Sequence, residues 1–401
     1  MSTTAMQPQH SQAIAKYIKA TSESNQQTGR EYKSRLTKFE EYCNSRYNFN
    51  LDDLLVSKTF KVDVYDLLSG YVSYLITKAN YANLTIKQRV VTARNFLEYY
   101  DIEISPRKFK YKVKIPKSIV NYKAPLTRDF IIKILENTPN LRLKCFLLTL
   151  ASTGMRAGEC CSIRLKDIDF ENHKIHLRPE YTKTKKYRYV FLTNELYQFL
   201  ILYLNYKYRP KQKHRVYNRN TKQFVKLEKP VIFTPQRHDT DLLFGVRFDN
   251  PRQNVKILYS HLLPMFDQTL DRLGVGYEDE HKKRRIITLH SFRRYVKTVI
   301  SDLGFSDFSE FVLGHSGSTY YRGSDKEHYK LFKEKIEPSL TFLDQSYIES
   351  HHADTLSRLQ IVEKQNIELQ NNINRIMEMI QQNPQLAQVK PEVLTKKKLG
   401  G

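Results

Sequence analysis

The sequence has no tryptophan and only four cysteines among its 401 residues. The cysteines, Cys43, Cys145, Cys160 and Cys161, form no C-x-x-C pair, so they suit neither a disulfide framework nor a zinc site. We predict instead that they are idle or buried thiols in a reducing compartment. No apolar run approaches the ~20 residues of a membrane-spanning helix, and the N-terminus lacks the apolar stretch of a signal peptide. These absences predict a soluble, intracellular protein of the cytoplasm.

Acidic residues are the other shortage, since 42 of them face 66 lysines and arginines and leave a formal net charge of +24. An excess of this size indicates a polyanionic partner, most simply nucleic acid. A charge that only keeps the protein in solution is the alternative, but the basic residues are clustered rather than spread evenly. The segment 105–126 holds seven lysines or arginines and no acidic residue, and residues 207–230 form a loose, strongly basic insertion.

Apolar periodicity and composition divide the chain into segments of different character. Leu36, Phe39 and Tyr42 repeat at helical spacing, and similar patterns follow, which predicts a small all-helical domain. Helical patterns around short alternating strands predict a second, larger domain. The predicted segments are a flexible N-terminus (1–25), a helical domain (26–104), an extended basic linker (105–126), the larger domain (127–345), an amphipathic or coiled-coil helix (346–384) and a disordered tail (385–401).

Apolar residues in the segment 346–384 follow alternating three- and four-residue steps. They are Leu359, Val362, Leu369, Ile373, Ile376 and Ile380, with Asn366 in the same seam. This heptad pattern fits a self-associating coiled coil, in which a seam asparagine fixes the oligomeric state. It fits equally a single amphipathic helix docked on its own chain. Pro384 is expected to end the helix in either case.

Four short motifs carry residue types that suit phosphate chemistry, although each motif alone is also typical of an inert helix or hairpin. The first, TGMRAGE, contains Arg156 and Glu159 three residues apart. A basic hairpin, KTKKYRYV, follows with Lys183 at its start. The last two are LHSFRR, with His290 and Arg293, and the GH pair at 314–315, which precedes tyrosines at positions 320, 321 and 329.

In this order, the motifs resemble those of the tyrosine recombinases, the phage-type integrase family, and in style the integrases of archaeal mobile elements. The resemblance covers roughly residues 28–345 and is most specific over 150–322. It implies a mainly α fold with a small antiparallel β-sheet, in which a helical core-binding domain precedes a catalytic domain and a coiled-coil-like helix follows. It also implies cleavage and rejoining of double-stranded DNA through a covalent 3′-phosphotyrosyl intermediate. A homo-oligomer on DNA and integration or excision of a mobile element are the expected setting.

The resemblance assigns the catalytic roles to a tyrosine and to Arg156, Lys183, His290, Arg293 and His315. Two arginines suit this chemistry because forked, permanently charged groups can bind the nonbridging oxygens of the transition state. The histidines can donate hydrogen bonds to these oxygens, and Lys183 is the candidate general acid for the leaving 5′ hydroxyl. Glu159 is expected to orient Arg156. Such chemistry needs no cofactor and no metal, and the sequence shows neither a P-loop nor an acidic metal cluster.

The choice of nucleophile lies between the three tyrosines. Many family members place it at a spacing from the histidine of the GH motif that Ser324 occupies here. The archaeal pattern of tyrosine, aromatic residue and arginine favours Tyr320 as the nucleophile and Tyr321 as a packing residue. Tyr321 stays as the alternative nucleophile. Tyr329 is expected to pack with Phe332 or to serve the site of a partner.

Other basic residues are predicted to contact DNA phosphates rather than to react. They lie in the linker, in the hairpin, before LHSFRR and within it: Lys108, Lys110, Lys112, Lys114, Lys185, Lys186, Arg188, Lys282, Lys283, Arg284, Arg285 and Arg294. Two alternatives to recombination stay open. One is a type IB topoisomerase, which uses the same tyrosine chemistry to rejoin the same strand. The other is a non-catalytic DNA-binding protein of the same fold.

Overall fold

The computed structural model divides the chain into two compact units, Met1–Tyr122 and Lys123–Gly401. It describes residues 11–24, 26–48, 51–52, 62–117, 125–218, 221, 223–246, 255–276, 285–314, 324–343, 368–369 and 375. Both units are built mainly of helices, and a small antiparallel sheet lies in the second unit, so the predicted fold class is confirmed. None of the helices described is long and apolar enough to cross a membrane.

The first unit packs its helices around a core of aromatic residues. The helices are α1 (Gln12–Ser24), α2 (Gln26–Tyr47), α3 (Val64–Thr77), α4 (Asn83–Tyr99) and α5 (Pro106–Lys112). Phe39, Tyr71 and Phe96 are completely buried in this core, and the rings of Phe39 and Tyr71 meet edge to face at 4.9 Å. Such contacts stabilise a core beyond the area that they bury.

Helix α1 corrects the prediction of a flexible N-terminus (1–25) for residues 12–24, whereas residues 1–10 lie outside the described part of the chain. Ile14 and Tyr17 are buried in the core of the first unit, so α1 is part of the fold. The carboxylate of Asp52 accepts hydrogen bonds from the backbone N–H groups of Gln12 and Ala13, both at 2.8 Å. Ser11 also caps the helix locally by accepting from the N–H of Ile14 at 3.2 Å, so distant Asp52 adds to a local cap.

Helix α5 corrects the prediction of an extended linker over residues 105–126. Ser105 caps the helix by accepting from the N–H of Lys108, and Pro106 occupies the first turn, where its missing N–H costs nothing. Phe109 and Val113 are buried against the first unit. Lys108, Lys110 and Lys112 are therefore exposed positions of a docked helix, and residues 118–124 lie outside the described part of the chain.

We expect Phe109→Ala to destabilise the first unit by about 3 kcal/mol, because a buried phenylalanine is replaced by a cavity. Tyr111→Ala on the same helix is the matched control, since Tyr111 is 65% exposed, and it should change stability by less than about 0.5 kcal/mol. Urea unfolding with hydrogen exchange of peptides from α3 and α5 measures both. Equal, small effects would show that α5 is not docked.

The second unit contains one almost fully buried helix, further helices and two antiparallel sheets. Its helices are α6 (Arg128–Glu136), α7 (Leu141–Thr153), α8 (Ala157–Ser162), α9 (Asn194–Lys207), α10 (Val255–Arg272), α11 (Leu289–Asp302), α12 (Ser306–Leu313) and α13 (Asp325–Leu331). Its strands are β1 (Ile168–Asp169), β2 (Lys174–Leu177), β3 (Arg188–Phe191), β4 (Lys211–Asn218) and β5 (Gln223–Phe233). Every residue of α7 from Leu143 to Thr153 is buried.

The three-stranded sheet has the order β1-β2-β3, and Ile175 of β2 pairs with Val190 of β3. The connection between β2 and β3 is the turn that carries Lys183. Strands β4 and β5 form a separate hairpin, which corrects the prediction of a loose insertion over residues 207–230. Val216 of β4 pairs with Val225 of β5 across this hairpin. Alternation of apolar and polar residues along each strand is typical of such pairs.

The segment after α13 closes the second unit. Backbone N–H groups of Phe342 and Leu343 donate to the carboxylate of Glu195 at 3.0 and 2.6 Å, and both apolar side chains are buried. The predicted heptad helix (346–384) and tail (385–401) lie almost wholly outside the described residues. All four cysteines are buried free thiols, as predicted.

Candidate active site

The TGMRAGE motif forms the sharp connection between α7 and α8. Gly154 ends α7 in the left-handed conformation, with φ of +65°, and Arg156 lies directly before α8. Glu159, in the first turn of α8, accepts from the backbone N–H of Arg156 at 2.9 Å and from its Nη1 at 2.8 Å. The guanidinium of Arg156 is 29% exposed, whereas Glu159 is 2% exposed. Glu159 therefore fixes Arg156 through two hydrogen bonds.

Arg188 at the start of β3 shares the same carboxylate. Its Nη2 and Nη1 donate to the two oxygens of Glu159 at 2.6 and 3.3 Å, and its Nε donates to the carbonyl of Val312 at 3.1 Å. The side chain is 5% exposed. The prediction that Arg188 contacts DNA is therefore wrong, because its donors are used inside the protein.

Arg293 joins the C-terminal ends of two helices. It donates to the carbonyl of Gly154 at 2.9 Å and to that of Leu313 at 2.5 Å. A cation is favourable there because the last carbonyls of a helix carry partial negative charge. Burial, and next the charge of Arg156, lower the pKa of Arg293 to about 10, so it stays protonated at neutral pH. Arg293 is thus a fixed positive charge beside Arg156.

Two motif glycines allow these elements to approach closely. A Cβ on Gly154 would lie 2.9 Å from Cγ1 of Val296 and 2.9 Å from Cδ2 of Leu313. Gly314, at φ of +66°, ends α12, and a Cβ there would lie 2.8 Å from Cδ of Arg188. The TGMRAGE motif, β3, α11 and the GH motif therefore meet in one place.

The turn that carries Lys183 joins β2 to β3, and Lys183 itself is exposed. Buried Thr182 holds the turn, because its hydroxyl donates to the carbonyl of Lys186 at 3.0 Å and accepts from the N–H of the same residue at 3.1 Å. At the base of the turn, Arg178 pairs with buried Asp167 at 2.5 Å. The turn thus has a fixed base, while Lys183, Lys185 and Lys186 remain exposed to solvent.

The structure describes only some of the other predicted site residues. His290 is exposed in the first turn of α11, one turn before buried Arg293. Arg294 is half-buried and donates to the hydroxyl of Ser291 at 3.0 Å. The remaining residues lie outside the described part of the chain: His315, Tyr320, Tyr321, Lys282, Lys283 and Arg284.

Tyr329 lies in α13, which does not extend back to positions 320 and 321. Ser324 is the N-cap and has an extended backbone, so α13 starts at Asp325. The ring of Tyr329 packs 5.5 Å from that of Phe191, which in turn packs 5.3 Å from Phe332. Tyr329 therefore belongs to an aromatic cluster through its contact with Phe191.

The predicted DNA contacts differ in exposure. Lys108, Lys110, Lys112 and Lys114 are exposed, and Lys112 forms an ion pair with Asp63 at 3.0 Å. Arg285 is only 10% exposed and pairs with Asp271 and Asp267 at 2.6 and 3.5 Å, so its prediction as a phosphate contact is wrong. Among the residues described, no group of three or more His, Cys, Asp and Glu residues is arranged to hold a metal ion.

A polar cluster that the motifs do not indicate joins α13 to the sheet. Asp325 accepts from Nζ of Lys174 at 2.7 Å and from the hydroxyl of Tyr189 at 2.8 Å. That hydroxyl also lies 3.1 Å from Nδ1 of buried His328. These residues are far apart in the sequence, and only the alternation of β2 and β3 suggests that Lys174 and Tyr189 are on neighbouring strands.

Comparison with known proteins agrees with this geometry. Residues 126–318 match the sequence model of the phage integrase family. Tyrosine recombinase XerA of Saccharolobus solfataricus is 30% identical over 132 residues, which are 33% of this chain and 42% of that protein. A probable integrase/recombinase of Acholeplasma phage L2 is 27% identical over 175 residues, 39% of this chain and 57% of that protein. The chain thus spans about half the length of these relatives.

The fold has a counterpart among solved structures. A lambda integrase (residues 75–356), crystallised as a dimer bound to a COC′ core site, matches with a TM-score of 0.50 and 13% identity. The match covers 81% of this chain and 95% of that one. Residues 126–318 therefore match the phage integrase family, and this part of the chain is similar to tyrosine recombinases.

We expect Gly154→Ala to destabilise the second unit by about 2–4 kcal/mol, the sum of left-handed strain and overpacking. Gly274→Ala is the matched control, because Gly274 has a similar φ of +69° and a Cβ there would meet nothing within 4 Å. It should cost about 1 kcal/mol from strain alone. Equal losses in chemical denaturation would contradict the close packing of α7 on α11 and α12.

Proposed function

We propose that this chain is a site-specific DNA recombinase that cleaves and rejoins strands through a covalent 3′-phosphotyrosyl intermediate. The single observation that carries the proposal is the convergence of Arg156 and Arg293 at one place, each held by the protein backbone or by Glu159. Two fixed, permanently charged guanidinium groups suit the charge that builds on the nonbridging oxygens of a phosphodiester under attack.

The reaction is balanced without a cofactor. The tyrosine oxygen attacks phosphorus, its proton passes to a neighbouring base or to water, and the bond from phosphorus to the 5′ oxygen breaks. Lys183, exposed on its turn, gives the leaving 5′ oxygen its proton. His290 and His315 supply hydrogen bonds to the phosphate oxygens. The phosphotyrosyl bond keeps the energy of the phosphodiester, so a 5′ hydroxyl from another strand can reverse the step.

Tyr320 is the nucleophile in this proposal, and Tyr321 is the alternative. The packing of Tyr329 against Phe191 supports this choice, because a ring held among aromatic neighbours is poorly placed to reach a phosphate. The start of α13 after Ser324 also separates Tyr329 from the other two tyrosines.

Double-stranded DNA is the proposed substrate, and its phosphates would meet the exposed lysines of α5 and of the Lys183 turn. The net charge of +24 supports such a partner. The lambda integrase match is a dimer on its core site, and by analogy we propose a homo-oligomer on DNA here. The phage relative supports a role in integrating or excising a mobile element, a reaction that we propose takes place inside the cell.

The nucleophile can be identified with three single substitutions: Tyr320→Phe, Tyr321→Phe and Tyr329→Phe. Phenylalanine keeps the ring and removes the hydroxyl, so packing should survive. On a nicked suicide substrate, we expect Tyr320→Phe alone to lose the covalent DNA adduct. An adduct formed by Tyr320→Phe but not by Tyr321→Phe would transfer the role. A two-site recombination assay beside a plasmid relaxation assay then distinguishes a recombinase from a topoisomerase.

We expect Arg156→Ala and Arg293→Ala each to slow adduct formation by ~10²–10³-fold, because each removes transition-state donors. Arg293→Ala should also lower stability by about 2 kcal/mol, because the carbonyls of Gly154 and Leu313 lose a buried partner. Arg128→Ala is the control, since Arg128 also donates to a carbonyl, that of Thr341, but lies outside the site. Near-normal cleavage by either site variant would refute the assignment.

A further inference from the structure

Arg188 has no catalytic role in the proposed reaction, although it contacts the same carboxylate as Arg156. Its two Nη atoms lie 2.6 and 3.3 Å from the oxygens of Glu159, and the two side chains are 5% and 2% exposed. Such a pair is too deeply buried to meet DNA. Its position beneath Arg156 suggests an effect on the arginine above it.

Contacts with Val312 and Gly314 also fix the orientation of the Arg188 side chain. Its Nε donates to the carbonyl of Val312, and the backbone at Gly314 approaches its Cδ so closely that a Cβ there would lie at 2.8 Å. The guanidinium plane therefore cannot turn freely, and both Nη atoms face Glu159. A forked donor of fixed orientation also fixes the carboxylate that it binds.

We propose that Arg188 is a positioning residue for DNA strand cleavage, which acts by holding the Glu159 carboxylate in the orientation that fixes Arg156. The inference rests on the proposed strand-cleavage function. Arg188 touches neither the DNA nor the reacting atoms. Its effect reaches the phosphate through one intermediate, Glu159, and one catalytic side chain, Arg156.

The charge of Arg188 also keeps Glu159 ionised. Burial alone would raise the pKa of Glu159, but the hydrogen bonds and charge of Arg188, followed by those of Arg156, outweigh burial and lower it. The other charged or titratable groups that act on Glu159 from the described elements are Arg293 and the Cys160 thiol. Without Arg188, burial is less opposed and the pKa of Glu159 rises. Glu159 then becomes protonated as the pH falls, and a protonated carboxyl accepts fewer hydrogen bonds from Arg156.

The test is the single-turnover rate of adduct formation on nicked DNA, measured from neutral to acidic pH. We expect Arg188→Gln to be ~10²-fold slower at neutral pH, because misplacement of a catalytic group by about 1 Å has effects of this size. Its rate should fall more steeply than that of the wild type as the pH is lowered. Arg188→Lys keeps the charge and loses the fork, so it should keep the wild-type profile with a smaller loss of rate.

Two further variants separate positioning from stability. Arg285→Gln also removes a nearly buried arginine from ion pairs, here with Asp267 and Asp271, whose side chains are more exposed than that of Glu159. It should lower the melting temperature and keep the wild-type pH profile. The double variant Glu159→Gln/Arg188→Gln removes both charges of this pair. Neither position then carries an unpaired charge, and position 159 no longer titrates. The double variant should be as slow as Glu159→Gln by itself, because the two residues act through one path.

Each outcome is decisive. Absence of an adduct with the wild-type protein would overturn the proposed function itself, before any variant is compared. If the wild type reacts and Arg188→Gln shows the wild-type rate or profile, the positioning role is wrong. A steep acidic loss in Arg285→Gln would also overturn it, because the effect would then follow general stability. If Arg188→Gln does not fold, multiplied rate losses in the double variant would overturn the role, and equal losses to Glu159→Gln would support it.

Discussion

A buried carboxylate with two arginine partners is the interaction on which the site depends. Glu159 accepts four hydrogen bonds, two from Arg156 and two from Arg188, and so its charge is fully compensated although it is removed from water. A buried ion that loses one partner is strongly destabilising, whereas a satisfied one fixes the groups around it. The short helix α8, the strand β3 and the loop before α8 are therefore held in one arrangement.

Arg293 performs the complementary task with backbone partners. The carbonyls of Gly154 and Leu313 belong to the ends of α7 and α12, and one guanidinium satisfies both. Because Gly154 is two residues before Arg156 and Leu313 is the last residue of α12, segments far apart in the sequence are brought to one region. The left-handed glycines that end these helices make the approach possible. Helix termini, rather than strand edges, thus define the candidate site.

The sequence predicts the fold class and the order of the site motifs, because residue types and spacing are local properties. Burial is not local, and here prediction fails. Arg188 and Arg285 were expected to contact DNA, but both side chains are largely removed from solvent and form ion pairs with carboxylates from other segments of the fold. Likewise, distant Asp52 accepts from the first N–H groups of α1 beside the local cap Ser11, and the N–H of Ser105 before α5 donates to the hydroxyl of Tyr65, so composition suggested flexible segments where helices form.

The shared carboxylate has a consequence for how such a chain changes over generations. Replacing Glu159 leaves Arg156 and Arg188 facing each other without a carboxylate between them, and replacing Arg188 leaves a buried acid with one partner. Either single step passes through a less stable protein, and most proteins have only a few kcal/mol to lose. A lineage that keeps DNA binding but abandons cleavage should therefore shed Glu159 and Arg188 as a pair. We therefore expect positions 159 and 188 to change together, although 29 residues separate them in the chain.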